Sequence, residues 1–188
     1  MSRRHAPSLK GRFTGCLLGL LLALPTFAVE PERAALLSLE GKWRGEWRGQ
    51  NIDNGETRRT PVLLTVEVSE EGDWLIERIT TPEAQFSQNI ETQPPYRVIQ
   101  QFVESDYEQD RLLTGFHYVS DDVWTLRFEF TASRQERPVR VQQFWRRLPD
   151  TLTRTEEVDY QDDKGQHWLT RQTLTVKRVE DDEAPASP

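Results

Sequence analysis

From Val62 onward, apolar side chains recur at every second position. Val62, Leu64, Val66 and Val68 alternate with Leu63, Thr65, Glu67 and Ser69, the pattern of a strand with one face buried. Residues 122–131 repeat it most clearly: Trp124, Leu126, Phe128 and Phe130 share one face, and Thr125, Arg127, Glu129 and Thr131 the other. A helix would scatter both sets around its axis. The same reading predicts strands at 42–49, 73–80, 96–104, 111–119, 138–147, 151–160 and 167–178, with a weaker one at 85–91. Turn-forming stretches divide them: Asp53-Asn54-Gly55, Glu71-Gly72-Asp73, Pro94-Pro95, Ser120-Asp121-Asp122, Pro149-Asp150 and Asp163-Lys164-Gly165. Short connections pair consecutive strands as antiparallel neighbours. One helical turn or two is predicted from Pro31 to Leu39, with Pro at a first-turn position where its missing N–H costs nothing.

The ends of the chain read differently. Residues 1–28 form a Sec-type signal peptide: Arg3, Arg4, Lys10 and Arg12 make a basic start, Phe13 to Leu24 an apolar run, and Thr26-Phe27-Ala28 a cleavage site. The mature chain is then expected to begin near Val29, in the periplasm or outside the cell. The apolar run is shorter than the roughly 20 residues of a bilayer-spanning helix, so no membrane span is expected after cleavage. Residues 180–188, acidic and then rich in proline, bury too little to order themselves and are expected to be a solvated tail. Between these ends, 29–179 forms one domain, large enough to build a core without covalent staples.

Charge and cysteine usage narrow the function classes. The chain carries 24 Lys and Arg against 31 Asp and Glu. All four charges of residues 1–28 are basic, so the remaining 20 cations leave the mature chain at −11. Nucleic acid is disfavoured, because phosphate binding rests on clustered Lys and Arg. The single cysteine, Cys16, lies in the export segment, so the mature chain has no disulfide, thiolate ligand or cysteine nucleophile.

Eight to ten antiparallel strands in series leave two open edges unless the sheet closes on itself. The expected architecture is therefore all-β: an antiparallel up-and-down barrel of about 8–10 strands, with the short N-terminal helical turn closing one end. The segment Leu39-Glu40-Gly41-Lys42-Trp43, a Gly-x-Trp on the first strand after a helical turn, resembles that of the lipocalins and the wider calycin group. The resemblance implies that Gly41 and Trp43 close the barrel floor and that a basic residue of the last strand, Arg171 or Arg178, lies across the indole. These two stand on opposite faces by alternation, so one alone is expected to point inward.

Candidate ligand contacts follow from the same frame. Trp43, Trp47, Trp124, Phe128, Gln142 and Trp145 are the residues expected to line a pocket for a small, mostly apolar molecule, with packing of floor and core as the other role of the aromatic ones. Gln100, Gln101, Gln142, Gln143 and Arg127 lie within apolar strands, and any that face inward need polar partners or a wet cavity. Gly45 and Gly49 share the Trp43 face and suggest close packing there. His117 and His167 have no paired spacing, so neither metal nor cofactor is expected. No nucleophile elbow, zinc-protease motif or phosphate loop is present, and no reaction is expected. The reading is an exported lipocalin-like protein that carries a small apolar ligand. Its alternative is a non-enzymatic envelope protein with a solid barrel and a protein partner.

Overall fold

The computed structural model describes residues 30–52, 54–93, 97–102 and 107–180, with backbone alone for 92–93, 97–102 and 107–109. The predicted export segment, the predicted turns at Asp53 and Pro94-Pro95, the side chains of Gln100 and Gln101, and the predicted tail from residue 181 lie outside the described residues. Helix α1 (Pro31–Leu37) is followed by ten strands: β1 (Gly41–Gln50), β2 (Thr57–Val68), β3 (Trp74–Thr80), β4 (Gln85–Gln93), β5 (Arg97–Phe102), β6 (Tyr107–Ser120), β7 (Val123–Arg134), β8 (Arg137–Leu148), β9 (Thr151–Tyr160) and β10 (Leu169–Arg178). Each pairs with the next, and β10 returns to β1, so the sheet is a closed antiparallel up-and-down barrel. The weak pattern at 85–91 is a full strand paired on both sides.

Closure along β1 and β10 runs from Trp43–Arg178 to Gly49–Gln172. Gly45 makes it possible: a Cβ there would lie 2.0 Å from the Thr175 carbonyl oxygen. A side chain at that position would push the closing strands apart.

Alternation selects which face fills the barrel. Trp43, Val62, Leu64, Val66, Leu75, Ile90, Trp124, Leu126, Phe128, Leu152 and Val176 form one buried cluster with Ala35, Leu36 and Leu39 around α1. Helix α1 starts with Pro31 and covers this end of the barrel. It is tied down from three sides. Arg33 donates to the Gly72 carbonyl and pairs with Asp73 at 3.2 Å, Trp124 Nε1 donates to Ser38 Oγ at 3.1 Å, and Arg178 Nη2 donates to the Ser38 carbonyl at 2.8 Å. Among the described residues no helix is long and apolar enough to cross a membrane.

A second cluster, Val139, Val141, Val158 and Tyr160, lies at the other end of the barrel and is joined by Phe130, Ala132 and Ile52. Ile52 belongs to the β1–β2 connection. That loop is braced by Asn51 N–H to the Glu56 carbonyl (2.8 Å) and Gly55 N–H to the Asn51 carbonyl (2.8 Å), and so carries Ile52 onto the inner faces of β8 and β9.

Candidate functional site

The floor of the barrel is built around Trp43, whose side chain is fully buried. Its Nε1 donates to the Leu39 carbonyl at 2.8 Å. Arg178 stands 4.6 Å from the ring centroid and Arg147 4.5 Å, so two guanidinium groups contact one indole. Gly41, at φ +125°, leaves the space that Arg178 occupies: a Cβ there would come within 3.0 Å of Nη1. Burial and the nearby Arg178 charge lower the Arg147 guanidinium from its ordinary value. It still donates to the Leu148 and Pro149 carbonyls.

Above this floor the interior turns polar. Glu77, with no exposed surface, extends from β3 and meets Arg154 of β9, which contacts both carboxylate oxygens, with Nη1 at 2.8 Å from Oε2. Gln88 of β4 donates to the same carboxylate. Burial pushes the Glu77 carboxyl up. The Arg154 charge and hydrogen bonds, the Gln88 amide and the Arg111 charge outweigh it and hold the group below its ordinary value. Arg154, about 10% exposed, lies 3.8 Å from the centroid of the Trp145 ring, and Trp145 in turn packs edge-on against Phe128.

A second polar chain lies alongside. Arg111 of β6 donates to Gln143 Oε1 and stands over the Phe130 ring, while Gln143 Nε2 donates to Glu156 Oε2 at 2.7 Å. The other oxygen of Glu156 accepts from Arg171 Nη1 at 2.9 Å and has Arg134 Nη2 at 3.9 Å. Glu156 is 5% exposed, whereas Arg134 and Arg171 are each about one-third exposed. Beyond Arg171 a cavity of about 540 Å³ opens between β1, β2 and β10. Its wall is formed by Gly49, Asn51, Glu56, Arg58, Arg171 and Gln172 among others.

The residues expected from sequence are distributed through these layers. Trp43 and Trp124 pack in the floor, with Trp124 Nε1 also 3.0 Å from the Asp121 carbonyl. Phe128 and Trp145 are buried beneath Arg154, and Trp47 packs half-buried on the same apolar cluster. Gln142 faces outward from β8 but is covered there, 5% exposed, joining Arg127 (3.0 Å) and Glu157 (2.7 Å). Neighbours on a strand face opposite ways, so Gln143 is the glutamine that enters the barrel. Arg178 covers Trp43, and Arg171 does not oppose it as alternation required. The register of β10 against β9 shifts between Thr170 and Gln172, with Arg171 the extra residue, and this irregularity lets Arg171 reach the interior carboxylate Glu156.

Glu77, Arg111, Arg134, Arg154 and Glu156 were not singled out from sequence. Their signal was the alternation itself: Glu77 falls in phase with Leu75 and Ile79, and Arg154 and Glu156 with Leu152 and Val158. Among the described residues no group of three or more His, Cys, Asp and Glu side chains is arranged to hold a metal ion.

No family model matches the chain, and no curated protein does. Among solved structures it is similar to Rv2717c of M. tuberculosis, with a TM-score of 0.58 and 13% identity over 81% of this chain and 100% of that one. The likeness is one of fold. It is also similar to a protein of unknown function of the DUF3598 family from Nostoc punctiforme, with a TM-score of 0.48, 18% identity and 77% of this chain covered. The matched region makes up 49% of that protein, so the chain spans about half its length.

Proposed function

We propose that the protein is an exported, lipocalin-like barrel that binds and retains a small molecule at the open end of its interior, in the periplasm or outside the cell. The observation that carries this reading is the change of lining along the barrel axis. The floor is filled by aromatic and aliphatic side chains, but the other half holds arginine, glutamate and glutamine beside a cavity of about 540 Å³. That volume lies within the roughly 300–1,000 Å³ of small-molecule sites. The ligand would sit against Asn51, Glu56, Arg58, Arg171 and Gln172, with Ile52, which follows Asn51, packed on the aliphatic cluster of β8 and β9. Binding is by burial, and no reaction is part of the proposal.

The aromatic residues expected to contact ligand are better suited to support. Trp43 and Trp124 are sealed into the floor, and Trp145 carries Arg154 on its ring. Native mass spectrometry of the protein from its own envelope fraction, before and after denaturation, tests the reading. A stoichiometric released molecule is the expected result. An apo mass, combined with no thermal shift across a panel of small amphiphiles, would overturn it in favour of a barrel that serves a protein partner.

A further inference from the structure

Two arginines at the open end share one carboxylate. Arg134, the last residue of β7, is fixed by a two-residue turn in which Gln135 (φ 51°) and Glu136 (φ 63°) are both left-handed, the geometry of a tight hairpin. Arg171 arrives from the irregular register of β10. Both approach Glu156 Oε1, Arg171 at 2.9 Å and Arg134 at 3.9 Å, and the second distance is too long for a hydrogen bond. The Nε of Arg134 is buried with no acceptor. The Nε atoms of Arg147 and Arg154 are in the same state, so it is the one-third exposure of the Arg134 side chain that opens it to a ligand.

We infer that this pair of guanidinium groups receives the carboxylate of a small organic acid, whose body occupies the cavity beside Arg171. The inference rests on the binding reading above and adds the chemistry of the ligand. The planar fork of arginine matches an oxyanion with two parallel hydrogen bonds. Arg134 and Arg171 against the single carboxylate of Glu156 favour an anionic ligand, and Ile52, next in the chain to Asn51 of the cavity wall and packed on an aliphatic cluster, suits the hydrocarbon body of an organic acid better than inorganic phosphate. On the cavity wall Arg58 pairs with Glu83, and Glu56 accepts from Asn54. The neighbouring Glu77–Arg154 pair is already internally neutral.

Calorimetric titration of the signal-free chain at pH 7 with octanoate, octan-1-ol and inorganic phosphate tests the assignment. Octanoate is expected to bind at least about ten-fold more tightly than the alcohol, as one charge-assisted contact implies. That preference is expected to vanish in Arg134→Gln, which removes no side-chain hydrogen bond among the described residues, and in Arg171→Gln. It is expected to survive in Arg127→Gln on the outer face. Equal binding of acid and alcohol overturns the carboxylate site and leaves the binding reading standing. Arginine-dependent binding of phosphate without octanoate overturns the choice of carboxylate. Failure of both eight-carbon probes to bind removes this inference, and together with an apo native mass removes the binding reading as well.

Discussion

Replacing Arg154 by Met strands a carboxylate inside the barrel. In the wild type, Arg154 contacts both oxygens of Glu77, and Glu77 has no exposed surface. Met keeps most of the volume packed against Trp145 but leaves Gln88 as the one remaining hydrogen-bond partner of Glu77 among the described residues. Removing one partner of a buried pair costs about 3–5 kcal/mol, a large part of the about 5–15 kcal/mol that holds a domain folded. Removing both partners is different: Glu77→Leu combined with Arg154→Met leaves no charge to desolvate. The double variant is expected to lie near the wild type or up to about 4 kcal/mol above it.

The pH dependence separates this from loss of packing. Glu77 titrates below its ordinary value of 4.5 in the wild type. Its contribution is therefore fully present above that value and is lost as pH falls through the depressed native pKa. In Arg154→Met, burial dominates and raises the carboxyl, so the folded state takes up the proton first and the deficit shrinks as pH falls from 7 toward 4.5. Urea unfolding followed by tryptophan fluorescence at pH 7 and pH 5 reads both effects. A loss under about 1 kcal/mol at pH 7, or acid dependence parallel to the wild type, would refute the reasoning.

Trp43→Ala is expected to cost about 3–5 kcal/mol in the same assay, because it empties the floor and leaves the Leu39 carbonyl without its donor. Gly45→Ala is expected to lose about 1–3 kcal/mol or more, since its Cβ meets a backbone oxygen on β10. Gly49→Ala, with nothing within 4 Å of its Cβ, is expected to gain about 0.4–1 kcal/mol by restricting the unfolded chain. Intact mass of the protein recovered from its host's envelope is expected to begin at Val29; an N-terminus at Met1 or Ser2 would refute cleavage after Ala28.

The strands were legible because their signal is local. Trp124, Leu126, Phe128 and Phe130 alternate in sequence and all turn to one side of β7 in the barrel. Closure was legible for the same reason, since a long meander must dispose of its edges. The polar interior was harder to read. Glu77 and Arg154 meet across the barrel at a separation of 77 residues, and nothing near either one in sequence names the other. Arg171 was misplaced because a one-residue irregularity in register reverses the face of what precedes it, and the alternation on which the reading relied carries no mark of that shift. Gln142 and Gln143 differ by a single position, so choosing the inner one required knowing the phase of β8.

The polar half of the barrel does not follow from the needs of stability. Well-packed hydrocarbon in place of a buried ion pair is commonly neutral or more stable, and the floor already shows that this chain fills its interior with aromatic and aliphatic groups where it does so. Yet at the other end five strands, β3, β6, β7, β9 and β10, direct Glu77, Arg111, Arg134, Arg154, Glu156 and Arg171 inward. Glu77 is saturated and can be accounted for as a device that fixes β3 against β9 across the barrel. Glu156 cannot be accounted for in that way, because Arg171 and Gln143 already meet it at 2.9 and 2.7 Å while its second arginine, Arg134, stands off at 3.9 Å. A purely structural pair would have closed that gap, whereas a receptor for an anion has reason to leave it open. Arg134 is therefore the residue on which the structural and binding accounts of the open end diverge.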